Sequence, residues 1–149
     1  MKKPFVLLVL SLAVVAVSCQ NQTNEYGDDM LKKFAQNASY KAYLASQRSI
    51  QLGIARHDFD MPKIASVIIR NPNKEVCDIP KEDFIGIFGG PQYQELFCDF
   101  FNKSKQLDSS LPGFSKLTSD QVIRVSQIHD EHEGINWTQT VRNAILTRN

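Results

Sequence analysis

The chain has 149 residues, 42% of them hydrophobic and 22% charged, and its 17 Lys+Arg nearly balance 16 Asp+Glu for a formal net charge of +1. This is globular composition for a single domain, with enough chain for a self-sufficient core. The near-neutral balance excludes the basic footprint that releases counterions from a phosphate backbone, so nucleic acid is not an expected partner.

In chain order, the first element is "MKKP" followed by the apolar run "FVLLVLSLAVVAV", Phe5 to Val17. The run is shorter than the roughly 20 residues a membrane-spanning helix needs, and it suits the apolar centre of a secretion signal. Residues 1–18 are therefore expected to be a cleaved signal peptide. They contain two lysines and no acid, so the remainder carries 15 basic against 16 acidic residues, a net charge of −1. Ala16-Val17-Ser18 places small residues where an ordinary signal peptidase reads them. Together with Cys19, the same residues resemble the lipobox of bacterial lipoprotein precursors, with Ala16 where that family usually has leucine. The resemblance implies diacylglycerol on the Cys19 thiol, cleavage before it, and a lipidated cysteine as the new N-terminus. Each buried methylene contributes about 0.8 kcal/mol, and stable anchoring takes more than one chain, which diacylglycerol supplies. Gln20 follows the cysteine, as in enteric lipoproteins delivered to the outer membrane. The implied location is the bacterial envelope, on the periplasmic or surface face, with no cofactor beyond the lipid.

Residues 19–29 form the expected tether, since "QNQTNEYGDD" lacks hydrophobic periodicity and is rich in polar residues. As a coil of about ten residues it would reach roughly 17 to 19 Å. Residues 30–149 read as a mainly α, compact domain of about five helices. The first is one long amphipathic helix from Asp29 to His57 whose apolar stripe runs Leu31, Phe34, Ala38, Ala42, Ala45, Ser49 and Leu52. Lys32, Lys33, Lys41 and Arg48 fall off that stripe and are expected on a solvated face. Asp60 and Pro62 mark a restart before "KIASVIIRN", which is short and β-branched enough to fit a helix or a strand. "NPNKEVCDIPKED" is a loop, after which Pro80 opens a short helix through Phe88 that Gly89 and Gly90 end.

Pro91 starts the next helix, "PQYQELFCDFFNKSKQ", whose face of Tyr93, Leu96, Phe97, Phe100 and Phe101 is expected at the centre of the core rather than in a ligand cage. The preceding glycines are no phosphate loop, because the required lysine and hydroxyl do not follow. Beyond the loop "DSSLPGF", Thr118 and Gln121 form a capping box flanked by the staple pair Leu117 and Val122, so a helix starts at Ser119. Gly134 stops it, and Asn136 with Gln139 repeats the box before Trp137, Val141, Ala144 and Ile145. A terminal helical hairpin follows.

Chemistry concentrates in "VIRVSQIHDEHEG". His129, His132 and Glu133 stand at i, i+3 and i+4 on one side of the helix and could bind zinc or iron, completed by His57, Asp58 or Asp60. No HExxH and no cysteine pair at zinc spacing accompany them, and the helix dipole alone favours histidine near a C-terminus, so structural histidines are the expectation. Ser119 and Ser126 have histidines nearby in sequence, but spacing shows no third group to orient a base. Cys77 or Cys98 could pair with a histidine as a nucleophile. Outside the cytosol two remaining cysteines read better as a disulfide, closing a loop of about 20 residues and stabilising the fold by about 3 kcal/mol. The alternative is two unlinked thiols, with Cys98 beside Phe97 and Phe101. No nucleophile elbow, kinase signature or dinucleotide-binding pattern is present. The expected function is that of a non-enzymatic helical lipoprotein, anchored in the membrane, that binds another envelope or extracellular protein. One alternative is an immunity or inhibitor protein against a toxin or wall-degrading enzyme; another is a metal- or small-ligand-binding domain using the His129 region.

Overall fold

Two aspartates at a helix start, where the dipole favours negative charge, open the first element of the computed structural model. It describes residues 26–147. The expected signal peptide, Cys19 and the tether as far as Glu25 lie outside the described residues. Helix α1 spans Asp28–Gln36 with Asp28 and Asp29 in its first turn. Just ahead of it the Tyr26 ring lies 6.3 Å from Phe34. Of the residues expected in the tether, Tyr26 thus packs on Phe34, and Asp28 and Asp29 are helical.

The expected single helix to His57 is broken at Asn37. That residue is extended, and its side-chain oxygen accepts from Ser39 N at 2.8 Å and Tyr40 N at 3.4 Å, opening α2, Ala38–Arg56. The break resets the helical phase. Leu31 and Phe34 are buried, but Ala38, Ala42, Ala45 and Ser49 face outward, and α2 instead buries Tyr40, Leu44, Ser46, Arg48, Ile50, Gly53 and Ala55. Arg48 is thus buried, not solvated.

"KIASVIIR" is helical, within α3, Met61–Arg70. Asp60 accepts from Lys63 N at 3.3 Å and Pro62 occupies the first turn. β-Branched residues each lower helix propensity by only a few tenths of a kcal/mol, whereas burying Ile64 and Val67 stabilises by about 1.5–3 kcal/mol each. Pro80 does not open a helix through Phe88. A 3-10 turn covers Lys81–Phe84 and stops, because the following Gly86 (φ 81°) and Gly89 (φ 67°) are left-handed. Another 3-10 turn, Val76–Asp78, precedes it. Helix α4, Gly90–Ser110, runs a turn beyond its expected end, held by burial of Leu107 and of Leu111 just after it.

Helix α5, Ser119–Glu133, carries the full capping box: Gln121 N donates to Thr118 Oγ1 at 3.3 Å, and Thr118 N donates to Gln121 Oε1 at 2.9 Å. Gly134, at φ 67°, ends it. Before α6, Trp137–Leu146, only half of the second box forms. Asn136 accepts from Gln139 N at 2.9 Å, while the Gln139 amide turns to Asn143 at 2.8 Å.

Among the described residues there are six α-helices and no strand. Helices α2 and α4 pack along each other, α1 lies on α5, and α6 lies on α2. Helix α2 is the spine of two apolar clusters. Near its C-terminal half Ile50 meets Phe59, Ile64, Phe84, Tyr93 and Phe97; near its N-terminal half Tyr40 and Leu44 meet Leu31, Phe34, Phe114 and Val125. The Tyr43 and Phe100 rings, 5.3 Å apart, join the clusters. Ser46 Oγ also donates to Asp99 Oδ2 of α4 at 2.5 Å.

Candidate functional site

An arginine excluded from water must find its counterion inside the protein. Arg48 on α2 does so at the seam with α5 and α6. Its Nη2 lies 2.6 Å from Asp130 Oδ2 and 3.2 Å from Ser126 Oγ, and Trp137 covers the guanidinium with its ring centroid 4.5 Å from Cζ. The two charged side chains are only 10% and 16% exposed. At the rim, Lys41 Nζ sits 2.6 Å from Glu133 Oε1, which also meets His132 Nδ1 at 3.2 Å. Hydrogen bonds from Lys41, then His132, hold the Glu133 carboxyl below its ordinary pKa. Burial pushes the Tyr40 phenol far above its ordinary value. Opposite charges are thus matched within the seam, whose effect is to dock α5 and α6 on α2.

The same stretch of α5 carries the candidate metal ligands, and the structure divides them. His129 is buried, edge-on to Tyr40 with centroids 6.3 Å apart, and its Nδ1 has no hydrogen-bond partner among the described residues. His132 is more than half exposed and meets Glu133. His57 is the C-cap of α2 and Asp60 the N-cap of α3. Among the described residues no three His, Cys, Asp or Glu side chains are grouped to hold a metal ion.

Cys77 and Cys98 form a disulfide with Cα atoms 5.4 Å apart, fastening the first 3-10 turn to α4. Gln94, one turn earlier on α4, is 3% exposed and donates its amide to Val76 O at 3.0 Å and Ile79 O at 2.7 Å. Sequence reasoning missed this clamp; the only local signal is a glutamine in register with the Tyr93 and Phe97 face. Cys77, Lys81, Gln94, Glu95 and Cys98 line a cavity of about 240 Å³, smaller than the roughly 300–1,000 Å³ of ordinary ligand pockets.

Further along the chain lies an apolar turn. Phe84 is fully buried and Ile87 half-buried, while Ile85 and Phe88 between and after them are 69% and 68% exposed. The three-residue step sends one pair inward and one outward. Phe88 O accepts from Asp60 N at 2.9 Å, and Gly90 N donates to Ile87 O at 2.9 Å. Gly89 is required here: a Cβ would run into the Asp58 carbonyl oxygen, and φ is 67°. Ile69 on neighbouring α3 is a third large apolar side chain facing water, 75% exposed. No protein-family model, curated protein or solved structure matches this chain.

Proposed function

We propose that this protein is a helical lipoprotein of a bacterial envelope, anchored through diacylglycerol on Cys19, that acts by binding another envelope or extracellular protein rather than by turnover. The observation that carries the binding reading is the turn holding Ile85 and Phe88. Two large apolar side chains more than two-thirds exposed, on a backbone clamped by buried Phe84, by the Asp60 N–Phe88 O hydrogen bond and by the close approach of Gly89 to Asp58, suit a surface that a partner covers. A clamped turn also loses little conformational freedom on association. The same clamping suits an immunity or inhibitor role, in which the partner is a toxin or wall-degrading enzyme. The anchor rests on the lipobox resemblance at Ala16 to Cys19.

The test separates location from chemistry. Cys19→Ser is expected to lose incorporation of labelled fatty acid, leave the membrane fraction and weaken the phenotype that the gene supports. His132→Ala, shown to be folded by circular dichroism, is expected to retain function. An enzyme behaves in the opposite way, since loss of a catalytic group removes a transition-state interaction wherever the protein sits. The proposal is overturned if soluble periplasmic Cys19→Ser protein restores function fully while anchored, folded His132→Ala protein restores none.

A further inference from the structure

We infer that the Ile85–Phe88 turn docks into an apolar pocket with a basic rim on a different protein, held away from the membrane that carries the anchor. This rests on the binding role proposed for the same turn. Three observations select that occupant over a lipid surface or a second copy.

The first is charge. Asp78, Glu82 and Asp83 are exposed on the two 3-10 turns leading into the site. Among the described residues none of them has an ion pair, whereas Lys81 between them is 3.5 Å from Glu95. The chain leading into the turn therefore forms an acidic border on that one side, while Arg70 beside Ile69 on α3 is an exposed cation. Anionic lipid headgroups repel such a border, and segments that sit on bilayers carry lysine and arginine instead. A basic rim on a protein complements it and speeds encounter.

The second is direction. The described chain begins at Tyr26, whose hydroxyl lies over Gly113 and whose ring neighbours Phe34. Phe34 is 5.9 Å from Phe114, which is 5.5 Å from Tyr40, the third residue of α2. The apolar turn lies at the other end of that helix, with Phe88 bonded to Asp60 and Gly89 against Asp58 and Phe59. From Tyr40 to the end of α2 is roughly 25 Å at about 1.5 Å per residue. A tether joined at Tyr26 therefore leaves the turn at the far end of the domain.

The third is symmetry. Two copies meeting through this turn about a two-fold axis would set each patch against itself, bringing two acidic borders of like charge into one interface with no basic rim to match them.

The experiment places a photo-reactive benzoylphenylalanine at position 88 of the full chain in the cells that make it, and in a parallel strain at position 123 on α5. Position 88 is expected to yield an adduct with a different protein, abolished by Ile85→Glu. That protein, identified and purified, is expected to bind the folded domain with affinity reduced about 30-fold by Phe88→Ala, the scale of an interface hot spot. Its binding is also expected to weaken with salt and with Glu82→Lys plus Asp83→Lys. Overturning results are an unchanged affinity in either variant, an adduct with phospholipid or a second copy, or Phe88-dependent flotation with 3:1 phosphatidylethanolamine:phosphatidylglycerol vesicles. An adduct from position 123 alone removes this docking surface and leaves the broader binding reading standing. No adduct from either position removes both.

Discussion

Replacing Asp130 with alanine isolates the energetics of the buried seam. Arg48, its side chain 10% exposed, then keeps Ser126 and the Trp137 ring but loses its anionic partner. Breaking a buried pair from one side costs about 3–5 kcal/mol, because a charge stays desolvated without compensation. The remaining hydroxyl and aromatic face put the expected loss at the lower end, about 3 kcal/mol, or roughly 10 °C in Tm for a domain of this size. The contrast is Glu95→Ala, which removes an ion pair whose side chains are 70% and 68% exposed and is expected to cost no more than about 1 kcal/mol. Adding Arg48→Met to Asp130→Ala removes the stranded charge and should recover part of the loss, giving a coupling energy by double-mutant cycle. Urea unfolding followed by circular dichroism gives the free energies. Fluorescence adds a local report, because the chain's single tryptophan, Trp137, lies on Arg48. If Asp130→Ala costs no more than Glu95→Ala, the seam behaves as a surface ion pair and the reasoning fails.

Three further outcomes are expected. Reducing the Cys77–Cys98 bridge, with Cys19→Ser protein used so that no other thiol intervenes, should lower stability by about 3 kcal/mol; the unreduced, unfolded chain should take up no maleimide, and two equivalents would show that no bridge exists. Gly86→Ala and Gly89→Ala both place alanine at positive φ, but only at Gly89 does the new Cβ meet the Asp58 carbonyl. Both should lose the backbone cost of about 1–2 kcal/mol, Gly89→Ala distinctly more, and equal losses in chemical denaturation would contradict the close approach of residues 58 and 89. Hydrogen bonds from Lys103, then Ser46, hold Asp99 below its ordinary pKa, as Lys41 and His132 do for Glu133. The unfolded chain therefore takes up protons first, so this stabilisation is complete above the ordinary carboxylate range and is lost as pH falls through it. Asp99→Asn with Glu133→Gln should flatten the acid limb of stability against pH, and an unaltered limb would exclude these two groups as its source.

The fold was legible wherever a local contact decides the backbone. Thr118 and Gln121 lie three positions apart and bond to each other, Gly134 supplies a left-handed stop, and Pro91 supplies a helix start; each needs nothing from the rest of the chain. Asn37 was not legible, although it is just as local a cap. The step from Phe34 to Ala38 continues a helical stripe without interruption, and one asparagine inside a helix costs only a few tenths of a kcal/mol. What selects the break is burial of Tyr40 and Leu44 against residues of α5 and of the turn near Phe114. Those partners lie far along the chain, so the pattern satisfied both phases and gave the wrong one.

The same distinction governs the sites. The spacing of His129, His132 and Glu133 drew attention to the part of α5 that forms the seam, but not to Asp130, whose partner Arg48 lies 82 positions away. Nothing next to Arg48 marks it for burial: its charge, and its place opposite a plausible stripe, both favour solvent. A buried arginine becomes stable only when a carboxylate arrives from elsewhere with geometry good enough to replace water. Local pattern consequently ranked among the most solvated side chains one that tertiary structure makes 8% exposed. Ile85 and Phe88 show the converse. Their outward direction follows from a three-residue step between two inward anchors and from two left-handed glycines, all within seven positions of sequence from Phe84 to Gly90. The turn was thus available to sequence reasoning, and it was missed because a short helix was expected through Phe88.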